Sequence, residues 1–229
     1  MEWSKNYRIT NGNRAFCYSI VWLTVPGPRR PADLAQLRFD YTSAYLDHDG
    51  ERRRLVRLAA ADLAAAESAD HLVGHQLCSD LAVLTANTAP RTPRAVTAAR
   101  TAWTARRGDW RRRIIDTRFD TNHLLAGRSR RLVDVCSELG LTVTQPELAG
   151  ASMTALHRRW LDAAHTEARE RITVLNLRHS LSAALVALQA IGCGTWRTPL
   201  NVNTMLAVQL DGQLGWTRHP VFQALAEAG

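Results

Sequence analysis

The chain of 229 residues has one lysine, Lys5, and no cysteine pair spaced C-x-x-C. It has no Walker or Rossmann glycine pattern and no G-x-S-x-G elbow. Each absence removes a class of function. Without an unbroken apolar run of about eighteen residues, a membrane-spanning helix is not expected. The opening stretch, "MEWSKNYRITNGNRAF", lacks the apolar segment of a secretory leader, which makes a cytoplasmic location the expectation. Cys17, Cys78, Cys136 and Cys193 are scattered, so a structural zinc site is not expected and buried free thiols are. Nucleotide-cradling loops and serine-nucleophile elbows are likewise missing. No internal repeat is visible.

What is present is arginine. Formal net charge is +8, and apart from Lys5 every permanently cationic side chain is an arginine. The resulting positive field attracts phosphate polymers or an acidic protein partner. Arginines cluster at Arg29-Arg30, Arg52–Arg54, Arg106-Arg107, Arg111–Arg113, and in Arg128, Arg130 and Arg131 ahead of a helix. Trp110 adjoins Arg111 and Arg112, the pairing of ring and cation that single-strand binders use to stack bases. Such runs are also ordinary solvated faces, and tryptophans are commonly core residues.

The apolar pattern reads as mixed α/β. "RAFCYSIVWLT" (14–24) is strand-like, aromatic and β-branched. Residues 37–46 form a second strand candidate, and Asp49-Gly50 reads as a hairpin turn into a third. A helix follows over 58–68. "HLVGH" (71–75) reads as a short buried strand, and Ser79 or Asp80 as the cap of the next helix. A helix over 95–107 and a strand over 113–117 come next. Leu132, Val135, Cys136 and Leu139 share one face of a helix stopped by Gly140. Helical patterning then runs from Met153 through Ala190. Asp211-Gly212 marks a possible hairpin in the last residues. The expected fold is an antiparallel meander followed by parallel strands, flanked by helices. The expected division is an N-terminal extension (1–13), one main domain (14–192) and a C-terminal extension (193–229).

Three segments carry a resemblance. "LVGHQLCSDLAVL", "IIDTRFDTNHLLAGRSRRLVDVCSELGL" and "LNLRHSLSAALVAL" together resemble the DEDD 3′–5′ exonucleases of the proofreading kind. The resemblance implies an RNase H-like mixed sheet. It also implies a site in which four carboxylates and a histidine or tyrosine hold two metal ions that activate water and neutralise phosphate charge. Carried over by position, Asp80 matches the third carboxylate and His179 the histidine. The Asp-x-Glu of the first strand falls on Val21 and Leu23, and the last aspartate on Ala184. Asp40, Asp47, Asp49 and Asp116 are the carboxylates that a shifted register would bring to the site, and Asp116, at the end of its strand, is placed for the rim. One carboxylate holds a hard cation weakly. The resemblance therefore implies a degenerate, non-catalytic relative that binds nucleic acid or a protein partner and needs no cofactor. In that reading Arg128, Arg130, Arg131, Trp110, Arg111, Arg112 and His75 contact single-stranded nucleic acid, and Asp80 is the remnant metal ligand. Two alternatives stay open. One is an active exonuclease using Mg2+ or Mn2+, with Asp80, His179 and Asp116 as its catalytic candidates. The other is a structural protein that forms a homodimer through the apolar helix 172–191. His75 and His179 also admit plain structural roles, as a strand-end tether and a helix-boundary residue.

Overall fold

The computed structural model describes residues 1–4, 13–109, 111–127 and 129–228. Two of the residues singled out above, Trp110 and Arg128, lie outside the described residues.

The elements in chain order are β1 (Glu2–Ser4), β2 (Arg14–Trp22), β3 (Ala32–Asp33), β4 (Asp40–Tyr45), α1 (Arg52–Ala65), β5 (Leu72–Gly74), α2 (Leu77–Thr88), α3 (Arg94–Ala105), β6 (Ile114–Asp116), α4 (Leu132–Glu138), β7 (Leu141–Thr142), α5 (Met153–Ala163), α6 (Thr166–Ala190), β8 (Gly194–Thr195), β9 (Leu200–Asn201), α7 (Val202–Gln209) and α8 (Pro220–Glu227). The architecture is α/β, with separate antiparallel and parallel sheets flanked by helices. β2 is the middle strand of the antiparallel sheet, between β1 and β4. β5 and β6 pair in parallel, Leu72 opposite Ile114 and Gly74 opposite Asp116. Two-residue parallel ladders join β3 to β8 and β7 to β9.

The expectation of one continuous mixed sheet is therefore corrected among the described residues. No ladder links β2 to β5. A cavity separates them, with Tyr18 to Val25 on one wall and Leu72 to His75 on the other. The third meander strand is corrected too. Asp49–Glu51 is a single 3-10 turn that runs straight into α1. The pairs Arg52–Asp49 (2.6 Å) and Arg54–Glu51 (3.1 Å) close that turn. Leu55, Val56, Ala59, Ala60 and Leu63 then recur at helical spacing on the buried face. The turn signal of Asp-Gly is real, but the sequence after it has helical and not strand periodicity.

Helix α2 begins at Leu77, earlier than a cap at Ser79 or Asp80 would place it. Gln76 precedes it in the left-handed region (φ 59°), held there by a bond from its amide to Asp116 Oδ1 (2.8 Å). The C-terminal hairpin is absent as well. α7 ends at Gln209, and after a turn at Gly212 (φ 74°) the chain makes a 3-10 turn, Gly215–Arg218, and enters α8. The cause is Trp216, which is drawn inward to Glu147.

Two hydrophobic cores flank α6. One joins β2 to α1, α2 and α3 through residues such as Phe16, Leu55, Leu81 and Val96. The other joins α4, α7 and α8 through Val135, Leu206 and Phe222. α6 supplies Ile172 to the first core and Leu177, Leu181 and Leu185 to the second. A helix buried on most of its circumference shows little amphipathic bias, as α6 does. No helix of the described residues is long and apolar enough to cross a membrane. All four cysteines are free thiols.

Between the C-terminal helices and α6 lies a buried ion pair. Arg178 Nη1 and Nη2 donate to Glu147 Oε2 and Oε1 at 2.5 and 2.6 Å, and both side chains are fully buried. Arg178 Nε donates to Asn203 Oδ1 (2.8 Å), and Trp216 Nε1 donates to Glu147 Oε1 (3.1 Å). Arg171 donates to the carbonyls of Glu147 and Ala149. Breaking such a pair leaves a buried charge without an answer. Arg178→Met is expected to lower stability by about 3–5 kcal/mol, and Trp216→Phe by about 1–2 kcal/mol, in urea unfolding. A loss below about 1 kcal/mol for Arg178→Met would contradict the reading of this pair as the C-terminal anchor.

Candidate functional site

Two regions carry the chemistry. The first is the cavity between the sheets, of about 1330 Å³. Five positions singled out by the resemblance line it: Val21, Leu23, Asp80, His179 and Ala184. The structure thus brings them to one enclosure, but only two of them carry a polar group.

Asp80 sits in the first turn of α2 and faces the Met1 ammonium at 3.3 Å. Burial pushes its carboxyl above the usual range, against the pull of that ammonium. Burial would lower the Met1 amine, but Asp80 and Glu2 outweigh it and hold the amine above its ordinary value. His179 is about one-third exposed. Its Nδ1 lies 3.3 Å from Glu2 Oε1, and its Nε2 lies 2.9 Å from Gln145 Nε2. Gln145 can only donate from that nitrogen, so His179 Nε2 accepts and Nδ1 carries the proton toward Glu2. Burial would raise Glu2, but the hydrogen bond from His179, the nearby Met1 ammonium and the hydrogen bond from Asn176 outweigh it, and the carboxyl lies below its ordinary range. Glu2 also accepts from Asn176 Nδ2 (3.1 Å). Among the described residues, no three of His, Cys, Asp and Glu are grouped to hold a metal ion.

Asp116 does not join this group. It is fully buried at the end of β6. Oδ1 accepts from the amides of Gln76 (2.8 Å) and Arg118 (3.2 Å), and Oδ2 from Trp103 Nε1 (2.8 Å). Its own amide donates to Asp120 Oδ2 (2.8 Å), which also receives Arg106 Nε (3.1 Å). This carboxylate is spent on joining β6, α2 and α3.

His75 bridges the same strand end to the loop before α4. Nδ1 lies 3.0 Å from Thr117 Oγ1 and Nε2 2.9 Å from the Arg130 carbonyl. The ring is a tether, with both nitrogens engaged. Burial, ahead of its hydrogen bond and neighbouring charges, leaves its pKa below the ordinary histidine value.

The second region is the arginine segment, residues 91–131. Twelve arginines there meet three aspartates, a net of +9, while the rest of the chain carries seventeen basic and eighteen acidic residues. The whole positive excess therefore belongs to this segment. Arg91, Arg94, Arg100, Arg107 and Arg112 are exposed and have no carboxylate partner among the described residues. Arg111 is exposed, and its amide donates to Asp109 Oδ1 (3.0 Å). Arg130 folds back on the Gly127 carbonyl (2.7 Å), and Arg131 forks onto Asp134 (2.7 and 3.0 Å). The last two thus spend part of their donors within the loop.

Sequence reasoning missed an aromatic group here. Arg106 lies over the Trp103 ring (4.1 Å to its centroid), and Trp103 meets Phe119 edge-on at 6.3 Å. Phe119 is one of the few exposed large apolar residues. Its place directly after Arg118 was the available signal. Glu2 and Asn176 had no signal, being far apart along the chain.

No family model, curated protein or solved structure matches the chain. What stands is the α/β architecture with its separate sheets and the geometry of the two regions.

His75 yields a pH prediction. Its pKa in the fold lies below that of the unfolded chain, about 6.5. As pH falls below that value the unfolded chain binds a proton that the folded one refuses, so this residue's contribution is lost. His75→Gln is expected to cost about 1–2 kcal/mol above neutral pH. The gap to wild type should shrink as the pH is lowered toward 5, in urea midpoints taken at each pH. A gap that stays constant from pH 8 to 5 would count against it.

Proposed function

We propose that the protein binds single-stranded nucleic acid without cutting it, gripping phosphates with the arginine segment 91–131. The observation that carries this reading is the confinement of the net charge to one stretch of 41 residues. The exposed guanidinium groups of Arg94, Arg100, Arg107 and Arg112, which have no carboxylate partner among the described residues, release counterions when phosphates replace them. Phe119, beside Trp103 and Arg106, offers a base a ring to stack on. Such a face grips the backbone and does not read sequence.

A degenerate DEDD-type scaffold, RNase H-like in descent, is part of the proposal. Its support is the arrival of Val21, Leu23, Asp80, His179 and Ala184 at one cavity. With apolar residues at three of these positions, and the Asp80 charge answered by Met1, the cavity offers no ligand set for the two-metal chemistry of that family. The cavity does not serve as the nucleic-acid groove either. Carboxylates outnumber guanidinium groups on its walls, and a phosphate backbone would be repelled there. The binding face and the family cleft are thus different surfaces of this protein. An acidic protein would meet the same arginines, and the test below separates the two partners.

The test is anisotropy of a short labelled single strand, with Mg2+ present, across a series of salt concentrations. Binding should weaken with salt. Arg94→Gln with Arg100→Gln and Arg107→Gln should flatten the slope of log K against log salt by about 2, roughly 0.7 for each lost phosphate contact. The strand should stay full length. Salt-independent or absent binding would sink the reading in favour of a protein partner. Stepwise shortening that Asp80→Asn abolishes would make the protein an active exonuclease instead.

A further inference from the structure

The cavity is bounded by two strand edges. β1 covers only Arg14–Cys17 on its side of β2, and the row ends there. Successive residues of a strand aim their peptide groups at opposite neighbours. The Phe16 carbonyl accepts from the Leu46 amide, so the even-numbered residues of β2 serve β4 and the odd-numbered ones face away from it. Past the end of β1, that leaves Ser19 and Val21 aimed at the cavity they line. On β5, Leu72 donates to the Arg113 carbonyl and Gly74 accepts from the Thr117 amide, so both serve β6. Val73, between them, faces the opposite way and lines the same cavity.

The backbone groups on these edges are largely unanswered. Ser180 Oγ, from α6, donates to the Ser19 carbonyl (3.1 Å). Among the described residues, no hydrogen bond engages the Ser19 amide, or the amide and carbonyl of Val21 or of Val73. Val21 and Val73 are half-buried, and the stretches that hold them, "SIVW" and "LVG", have no charge to blunt an edge. Edges of this kind are templates for a further strand. Scarcely a Cα of β2 comes within 8 Å of one of β5, so the two are too far apart to pair directly. A third strand between them needs about 10 Å, twice the spacing of neighbouring strands. α6 packs against both strands and lines the cavity with Ser180, Ala183 and Ala184, whose short side chains leave room above the helix. At the rim, Asp33, Asp40 and Asp70 are exposed and form no ion pair among the described residues, against one lining arginine, Arg38.

We propose that the cavity takes an extended, basic-ended segment of a partner polypeptide, which adds as a strand between β2 and β5 and joins the two sheets into one. This is recognition by strand addition, in which main-chain bonds hold the segment and side chains select it. Amides and carbonyls without partners on two facing edges are answered together by a peptide backbone, whose own donors and acceptors alternate between its two sides. The rim carboxylates favour lysine or arginine at the end of the segment. At about 1330 Å³ the cavity exceeds the ordinary range of small-molecule sites, and each residue of an extended segment advances only about 3.3 Å along it.

Random heptapeptides displayed on phage and panned against the full chain supply the probe. The selected peptides should be rich in β-branched and aromatic residues, with lysine or arginine near one end, and a synthetic copy should bind at one site. Exchanging its basic end for glutamate should weaken it by about threefold or more, as screened rim charges would. N-methylation of its backbone amides, one at a time, should cost at least about tenfold at one or more positions of each parity, since each removes a donor to Val21 or to Val73. The amides of Ser19, Val21 and Val73 should exchange with deuterium rapidly in the free chain and slowly in the complex. Val21→Pro removes a donor that the fold leaves unused, at an edge where proline is tolerated. It should weaken the peptide at least about tenfold with the urea midpoint near that of wild type. If that variant does not fold, the N-methyl series on the wild-type chain decides the matter alone. Loss at one parity only would put the peptide on a single edge and overturn the joining of the sheets. No selected peptide, no loss at either parity, or slow exchange of the three amides in the free chain would overturn strand addition itself. A chain that self-associates in sedimentation, and is dissociated by the peptide, would overturn the partner in favour of a second copy.

Discussion

The rest of the structure hangs on the buried fork between Arg178 and Glu147. Arg178 stands in the middle of the helix that both cores share, and its five donors cannot be left dry without partners. Glu147 supplies a bidentate pair, Asn203 takes the remaining edge, and Trp216 fills the last reach of the carboxylate. These contacts fasten the loop before α5, the start of α7 and the turn before α8 to one point on α6. The neighbouring turns of α6 are then committed in orientation. Asn176 and His179, on either side of Arg178, face Glu2 and the cavity because Arg178 faces the other way.

That division of α6 separates two electrostatic environments. The cavity side gathers carboxylates and aromatic rings. The arginine segment runs through α3 and on past β6, and Asp116 and Asp120 brace it. Asp116 ties the end of β6 to Trp103, and Asp120 ties Arg106 to the same turn. Two buried or half-buried acids thus serve as struts, and neither is paired with the exposed Arg94, Arg100, Arg107 or Arg112 among the described residues. A protein that spread its charge evenly would have neither surface. Here a basic segment and a cavity lined by carboxylates coexist within one α/β framework.

Much of the fold was legible along the chain. The aromatic and β-branched run of β2, the periodicity of α4 and the long helical pattern ending in α6 needed no partner to declare themselves. The errors arose where a local signal met a tertiary demand. Asp49-Gly50 reads as a hairpin, but Leu55, Val56 and Ala59 need a helical face to reach the core. Asp211-Gly212 reads the same way, but Trp216 is pulled in by Glu147. The site was less legible. Asp80 and His179 were singled out by the family resemblance and do share the cavity. Asp116 was visible as a strand-end acid, yet its use depends on Gln76 and Trp103, which spacing cannot reveal. Glu2 and Asn176 meet only through the fold, so no pattern in the sequence announces them.

The central claim is that nucleic acid meets the arginine face and not the cavity. Hydrogen–deuterium exchange of the full chain, with and without a saturating single strand, tests it most directly. The account predicts slowed exchange across α3 and residues 111–118, with the cavity walls at 21–25 and 36–40 unchanged. Protection of those walls, with α3 unaffected, would contradict it and return the nucleic acid to the cleft.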